Sequence, residues 1–526
     1  MIFSSRTLIR GSTPHQIFLA IFLIGCSATL GCRPDADSTG PIKAQVASAS
    51  RVLSPEVEMN IEIFCGDCHR MPQASSFPQS AWLDEVRRGF DFYYASGRSD
   101  MTVPIQADVH QYFVSRAPEK LDLPTPQPID TSWVDQFERQ DFSIPDNPTP
   151  AISFIDVVDL GSPLGRGIVF SDMSAGGIYF AAVKSDGSVA NPTRLGQLDH
   201  PAVVRVCDWD RDGLQDLLVA ELGSFLPEDH ALGKVIWLKQ SADKPGNFEA
   251  QTLIDGVGRV ASVEIADLDR DGNDDLLVAE FGWQTTGSIF WLKRGDDNSP
   301  QEGLSKIHLD PRQGTIHVPV ADLNGDGAPD FVALISQHYE RLELMINDGS
   351  GRFRIESVYD APCPSYGSSG IELVDINGDG KTDILYTNGD SFDSFVLKPF
   401  HGVKWFENRG DLSFVAHEVG ALPGVHRALA GDVDGDGQIE IVAGAFVPQR
   451  LVRNQRLHEA EALVVWKQNR LGEFDRHVLA NGNCIHAALK LSDLDGDGRD
   501  DLIVGHFREQ ELPGAAISLW YSRLKP

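Results

Sequence analysis

From residue 151 onward, short apolar stretches alternate with polar turns in one recurring order. An alternating stretch such as Val203-Val-Arg-Val206 comes first and runs into an Asp-rich turn. An aliphatic run follows: Leu217-Leu-Val-Ala220, Leu276-Leu-Val-Ala279, Phe331-Val-Ala-Leu334, Ile384-Leu-Tyr386, Ile441-Val-Ala443 and Leu502-Ile-Val504. A third stretch often carries tryptophan (Trp237, Trp291, Trp405, Trp466, Trp520), and a fourth opens at Phe248, Phe353, Phe414 or Phe474. Apolar runs this short, bounded by turn residues, predict β-strands. Four of them in each unit of 53 to 61 residues predict one propeller blade, and six such units are plain. A seventh lies upstream, with strands expected at Ile152–Val158, Gly167–Phe170 and Ile178–Val183. The last unit stops soon after Trp520 without a fourth strand. The stretch near Phe142 is expected to supply it, because closing the ring removes exposed strand edges. The fold class expected over 151–526 is an all-β, seven-bladed propeller, with no helical period interrupting it.

Ahead of the propeller the period changes. Between 55 and 118, Ala81-Trp-Leu-Asp-Glu-Val-Arg-Arg88 and Ala107-Asp-Val-His-Gln-Tyr-Phe-Val114 place apolar residues at helical spacing. Pro118, Pro124, Pro126 and Pro128 then mark a Pro-rich linker over 119–150. The first residues read as an export signal. Arg6 and Arg10 precede the apolar run Ile17–Ile24, which is short of the roughly 20 apolar residues a bilayer span needs. Leu23-Ile-Gly-Cys26 resembles a bacterial lipobox and Thr29-Leu-Gly-Cys32 is a second match, so Cys26 or Cys32 is expected to carry a lipid. A plain cleaved signal or an uncleaved anchor is the alternative. The expected order is an export segment (1–32), a tether (33–54), a small helical domain (55–118), the linker (119–150) and the propeller (151–526). That order places the chain in the periplasm or at the cell surface, lipid-anchored to a bacterial membrane.

The turn after the first strand of each unit carries chemistry. It reads Asp208-Trp-Asp210-Arg-Asp212-Gly213, Asp267-Leu-Asp269-Arg-Asp271-Gly272, Asp322-Leu-Asn324-Gly-Asp326-Gly327, Asp375-Ile-Asn377-Gly-Asp379-Gly380, Asp432-Val-Asp434-Gly-Asp436-Gly437 and Asp493-Leu-Asp495-Gly-Asp497-Gly498. A further acid stands three residues after each glycine: Asp216, Asp275, Asp330, Asp383, Glu440 and Asp501. Side chains at positions 1, 3 and 5 put oxygens on one side of a tight turn, and glycine at position 6 lets the backbone take a positive φ. A backbone carbonyl near position 7 and the acid at position 9 complete an oxygen cage for calcium, which takes six to eight oxygens. An EF-hand would need a glutamate at position 12 and flanking helices. One such turn could equally be a solvated Asx turn. Six in phase point to about six bound Ca²⁺. These turns, with the strand endings Ala220-Glu-Leu-Gly223 and Ala279-Glu-Phe-Gly282, resemble the FG-GAP/VCBS repeats also seen in integrin α-chain propellers. The resemblance covers about 151–521 and implies a calcium-bearing propeller without specifying a function. The seventh unit's turn, Asp159-Leu-Gly-Ser-Pro163, has lost the acids.

The formal net charge of −31 argues against nucleic acid and against anionic membrane surfaces, because nothing here would neutralise phosphates. Of seven cysteines, Cys207, Cys363 and Cys484 are scattered and make no disulfide framework. Cys65-Gly-Asp-Cys68-His69 is different, being the C-x-x-C-H attachment pattern of c-type haem. Two thiols three positions apart on a helical turn can reach both haem vinyls, and the adjacent His69 then faces the iron. A zinc half-site would need a second Cys or His pair and a redox dithiol a βαβ context, and neither lies nearby. The region from Pro55 to Pro118 resembles a small cytochrome c domain. That implies one haem c on Cys65, Cys68 and His69, with a distal ligand, usually Met, from a loop before the last helix. Met101 stands in such a loop, although Met101-Thr-Val-Pro104 departs from the family's Met-Pro pair. His110 and a five-coordinate iron are the alternatives.

Three functions are consistent with these features. The first is electron transfer by an exported cytochrome whose propeller is a binding or docking platform. Its partner would be a redox protein or a small-molecule electron donor, with a carbohydrate or protein ligand on the propeller left open. The second is a dehydrogenase whose propeller channel oxidises a substrate and passes electrons to the haem. His200, His317, His426 and His486 are its candidate lining residues, though no nucleophile–base motif or dinucleotide fingerprint accompanies them. The third is calcium-dependent surface adhesion.

Overall fold

The computed structural model describes residues 52–145, 147–295, 303–455, 459–470, 472–508 and 513–524. The export segment, with Cys26 and Cys32, lies outside the described residues. The described residues open on three α-helices: α1 (Pro55–Cys65), α2 (Trp82–Ala95) and α3 (Gln106–Val114). Ser54 caps α1, its hydroxyl accepting from the Val57 amide, and Pro55 occupies the first turn where its missing N–H costs nothing. Ile61, Trp82, Val86, Phe90, Val109 and Phe113 form a core of their own. Trp82 stacks on Phe113 at 4.0 Å.

This helical unit packs on the propeller. Arg70 pairs with Asp360, and Arg88 donates to the Asp393 carbonyl at 2.8 Å. Gln73 Nε2 donates to the Pro362 carbonyl at 3.2 Å, and Ser76 Oγ donates to Cys363 Sγ at 3.4 Å. The buried Lys398 ammonium lies 5.1 Å from the centre of the Phe77 ring.

Seven antiparallel sheets follow in chain order: blade 1 (152–197), blade 2 (201–257), blade 3 (260–310), blade 4 (315–360), blade 5 (368–421), blade 6 (425–481) and blade 7 (488–522). The first strands of neighbouring blades touch in cyclic order, blade 7 meeting blade 1, so the ring is closed. The stretch read as linker contributes to it. A short α4 (Thr131–Val134) stacks Trp133 on His477 at 4.2 Å, and β1 (Phe137–Phe142) is the fourth strand of blade 7. In that strand Phe137 lies opposite Ser522 and Phe142 opposite Ile517, which is the closure expected near Phe142.

Second strands are buried along their whole length, because each blade is covered on both faces by its neighbours. They therefore read as unbroken aliphatic runs rather than alternating ones. Trp237, Trp405 and Trp466 fill the space between blades. Two departures from the expected pattern occur. The first strand of blade 4 is split at Pro319, which has no N–H for the ladder, into Thr315–His317 and Val320–Ala321. Blade 6 carries a helix, α5 (Gln449–Gln455), between its second and third strands. Its length of 7 residues is too short for a helical period to stand out in sequence.

Candidate functional site

The six acidic turns fold alike because their hydrogen bonds repeat. The first aspartate's Oδ2 accepts from the amide of the position-6 glycine, at 2.8–2.9 Å, in all six: Gly213, Gly272, Gly327, Gly380, Gly437 and Gly498. Position 4 is left-handed as well, which the sequence reading missed. It is glycine at 325, 378, 435 and 496, whereas Arg211 and Arg270 hold φ at 59° and 60°. Such a conformation costs a non-glycine residue about 1–3 kcal/mol. Arg211 offsets part of this by donating to the Gly272 carbonyl of the next turn at 2.6 Å. The recurring glycine at position 4 was the available signal.

The position-9 acids have a double role. They are fully buried, and the five aspartates among them tie their turns to the third strand of the blade. Asp275 accepts from the amides of Leu268 at 3.2 Å and Arg294 at 2.8 Å, and Asp501 from Leu494 at 2.9 Å and Ser522 at 2.8 Å. Asp216, Asp330 and Asp383 are held in the same way, whereas Glu440 accepts from the Val433 and Asp434 amides of its own turn, with the Lys467 ammonium of the third strand 4.0 Å away. Burial pushes Asp216 up to about 6, and Asp275, Glu440 and Asp501 up to about 7.

Cations reach the position-3 acids. Lys239, Lys293 and Lys467 pair with Asp210, Asp269 and Asp434, and Arg523 with Asp495 at 2.7 Å. Where position 3 is Asn324 or Asn377, Ile346 or Glu407 takes the place of the lysine in the third strand. Lys381 also pairs with Asp379 at 2.9 Å and Arg499 with Asp497, so each acidic set keeps a formal charge of −2 or −3. In four turns, oxygens of three acids lie within 4.8 Å of one another: Asp208/Asp210/Asp212, Asp267/Asp269/Asp271, Asp432/Asp434/Glu440 and Asp493/Asp495/Asp497. Despite the lysines, Asp208 Oδ1, Asp210 Oδ1, Asp269 Oδ1, Glu440 Oε1 and Asp495 Oδ1 are buried without a hydrogen-bond partner among the described residues. Orphaned carboxylate oxygens are costly. A hard divalent cation is the group this donor set fits.

A pH prediction follows for the protein with its divalent cations chelated. Asp275, Glu440 and Asp501 hold protons up to about pH 7 when folded, but an unfolded carboxyl ionises near 4. The folded state binds more protons between those values, so stability falls as pH rises through the window. Melts in chelator are expected to give a higher Tm at pH 5 than at pH 7. A lower Tm at pH 5 would count against the role assigned to these buried acids.

At the helical unit, α1 ends on Cys65 and the Gly66 amide closes it by donating to the Glu62 carbonyl at 3.0 Å. Cys65 is half-buried against the helical core, and burial pushes its thiol up to about 12. Cys68 is exposed, with the Arg98 guanidinium 3.2 Å from its sulfur. His69 Nδ1 donates to the Arg70 carbonyl at 2.8 Å, which fixes the tautomer and leaves Nε2 as the acceptor nitrogen. Two thiols at a helix end and one imidazole with Nε2 available suit a covalently attached haem. Met59 and Ile63 on α1 and Tyr94 on α2 are exposed apolar side chains on the same unit.

Met101 is half-buried between α2 and α3, and it is not in the apolar cluster that takes in Met71 and Val103. His110 is half-buried on α3. The residue the fold brings to His69 is His338, from the turn between the second and third strands of blade 4. The two ring centres are 5.7 Å apart with planes 16° from parallel, and Phe92 approaches His338 edge-on at 6.0 Å. Burial and the neighbouring His69 hold His338 down to about 4.

The propeller axis is lined from the first strands. Arg205 makes a bidentate pair with Glu264, its Nε at 2.7 Å, and Lys490 pairs with Asp156 at 2.7 Å. Glu372 is pushed up to about 7 by burial, against the opposing pull of Arg427. His317 falls well below the usual histidine range, through burial and then Arg427, His426 and Arg205. His426 meets Phe446 edge-on at 5.4 Å, His486 lies 5.4 Å from His506, and His200 bonds the Met173 carbonyl at 3.1 Å. The charges of the axis thus largely satisfy one another.

The fold and its turns define a β-propeller built of FG-GAP-like repeats. A family model described as "FG-GAP-like repeat" matches residues 208–278 and 322–386. Two curated relatives carry the name T-cell immunomodulatory protein homolog. The one from Plasmodium falciparum (isolate 3D7) is 22% identical over 271 residues, covering 46% of this chain and 36% of that protein. The one from Plasmodium yoelii yoelii is 27% identical over 160 residues, covering 25% of this chain and 22% of that protein. The matched segments thus span well under half the length of either relative. Among solved structures, BBS1N in complex with ARL6DN, soaked with lead, aligns with a TM-score of 0.42 and 12% identity, over 74% of this chain and 97% of that one.

Proposed function

We propose that this chain is an exported, lipid-anchored c-type cytochrome that transfers electrons, with a calcium-stabilised propeller as its docking platform. The observation that supports this best is the arrangement at the end of α1: Cys65 and Cys68 one turn apart, and His69 oriented through Nδ1 so that Nε2 is available. Haem would be held by thioethers to both cysteines and by His69, and when bound it supplies a one-electron couple. The chain's own residues set the conditions. The Arg70 carbonyl orients the imidazole, and Arg98 bridges Asp67, Asp100 and the Cys68 sulfur. The Arg70, Gln73, Ser76 and Arg88 contacts fix the unit on blades 4 and 5. Calcium would be held by the acids and asparagines at positions 1, 3, 5 and 9 of the six turns, offsetting most of the negative charge of each set. The dehydrogenase alternative draws less support, because Arg205 pairs with Glu264 and Lys490 with Asp156 between neighbouring blades.

Coulometric titration of protein produced in cells that mature c-type cytochromes is expected to move one electron per chain, reversibly. Cys65→Ser combined with Cys68→Ser should abolish it. A wild-type chain that takes up no electron would defeat the electron-transfer reading.

A further inference from the structure

We infer that His338, on the propeller, is the axial ligand opposite His69 on the haem iron, so that the iron itself joins the helical unit to blade 4. The inference rests on the haem reading above and adds to it a residue that sequence position alone gives no reason to choose. Its first support is placement. His69 and His338 face each other with ring centres 5.7 Å apart and planes nearly parallel. Two imidazoles bound to opposite sides of one metal atom, with bonds of about 2 Å, have ring centres roughly 6 Å apart. The second support is the state of the His338 ring. It is half-buried, yet neither nitrogen has a hydrogen-bond partner among the described residues. Both nitrogens are therefore open to a bond from a metal.

The third support is the backbone that presents the ring. Gln337 and Glu340, on either side of His338 and Tyr339, hold φ at 60° and 48°. Two left-handed non-glycine residues in one four-residue turn are strained, and such strain gathers where a side chain is held for a purpose. The turn is anchored at both ends. Ser336 Oγ donates to the Gly314 carbonyl at 2.9 Å, and the buried Glu340 carboxylate accepts from the amides of Gly367 at 3.0 Å and Ser368 at 2.8 Å. On the helical side, Arg70 directly follows His69 and pairs with Asp360 at the end of the same blade. The unit is therefore held in register with the turn by contacts that need no haem. His110 makes no ring contact with His69 among the described residues.

The test uses full-length, haem-bearing protein and reads spin state and potential. The wild-type ferric protein is expected to be low-spin with a bis-imidazole electron paramagnetic resonance signature. His338→Ala should become high-spin, and added imidazole should restore the low-spin spectrum. His338→Met should raise the midpoint potential, since a Met/His pair favours the ferrous state relative to bis-His. A folded, haem-bearing His338→Ala whose low-spin spectrum is unchanged would overturn the inference, as would loss of the low-spin form in Met101→Ala with His338 intact. Wild-type protein with no covalent haem and both thiols free would instead bring down the underlying haem reading, and this inference with it.

Discussion

Chelating divalent cations is expected to lower the melting temperature of the folded chain by on the order of 15 °C. A site filled at about 100 times its dissociation constant stabilises the folded state by about 2.7 kcal/mol. Six such turns act on one closed ring, and in a domain of this size one kcal/mol moves the midpoint by roughly 1–2 °C. The reason to expect this is visible residue by residue. Each acidic set keeps a formal charge of −2 or −3, and carboxylate oxygens such as Asp208 Oδ1 and Asp269 Oδ1 are buried with no donor among the described residues. Differential scanning calorimetry with and without chelator, followed by calcium add-back, checks it. Coincident melts in the two conditions would remove calcium from the account.

Single substitutions in one turn should separate the two jobs of its acids. Asp275→Ala deprives two buried amides, those of Leu268 and Arg294, of their acceptor. Each lost bond costs about 1–3 kcal/mol, so the destabilisation is expected to be about 3–5 kcal/mol with chelator present and larger with calcium. Asp269→Ala removes an acid that accepts only from Lys293, so its cost should be small in chelator and appear mainly with calcium. Equal losses for both variants in chelator would mean that position 9 is not the strut described here. Equal losses for each variant with and without calcium would mean that the turn holds no ion.

How much of this could be read beforehand depended on the range of the interaction. Strands and turns were legible because period-two and aliphatic runs between glycines are local signals. The closing strand β1 was legible from a global argument, since blade 7 would otherwise leave an edge open. The helix α5 was not, as two turns leave no period to find. Position 4 of the acidic turns was half-legible: glycine recurs there, but Arg211 and Arg270 mask the rule by tolerating strain. The acidic positions of the turns could be named from spacing, whereas the lysines that reach them come from the third strand and depend on pairing register. His338 was wholly illegible. It lies far from His69 in sequence, on a turn with no motif, and only the packing of the helical unit on blades 4 and 5 brings it near. Cys363 shows the same limit: scattered in sequence, it receives Ser76 at that interface.

The central claim is that this propeller carries one covalently bound haem at Cys65 and Cys68. The most direct measurement is the absorption spectrum of the chain after denaturation and removal of all non-covalent haem, made on protein from cells able to attach it. The account predicts c-type haem bands corresponding to one haem per chain, lost in the Cys65→Ser, Cys68→Ser double variant. A colourless chain in which both thiols react freely with a thiol reagent would contradict it.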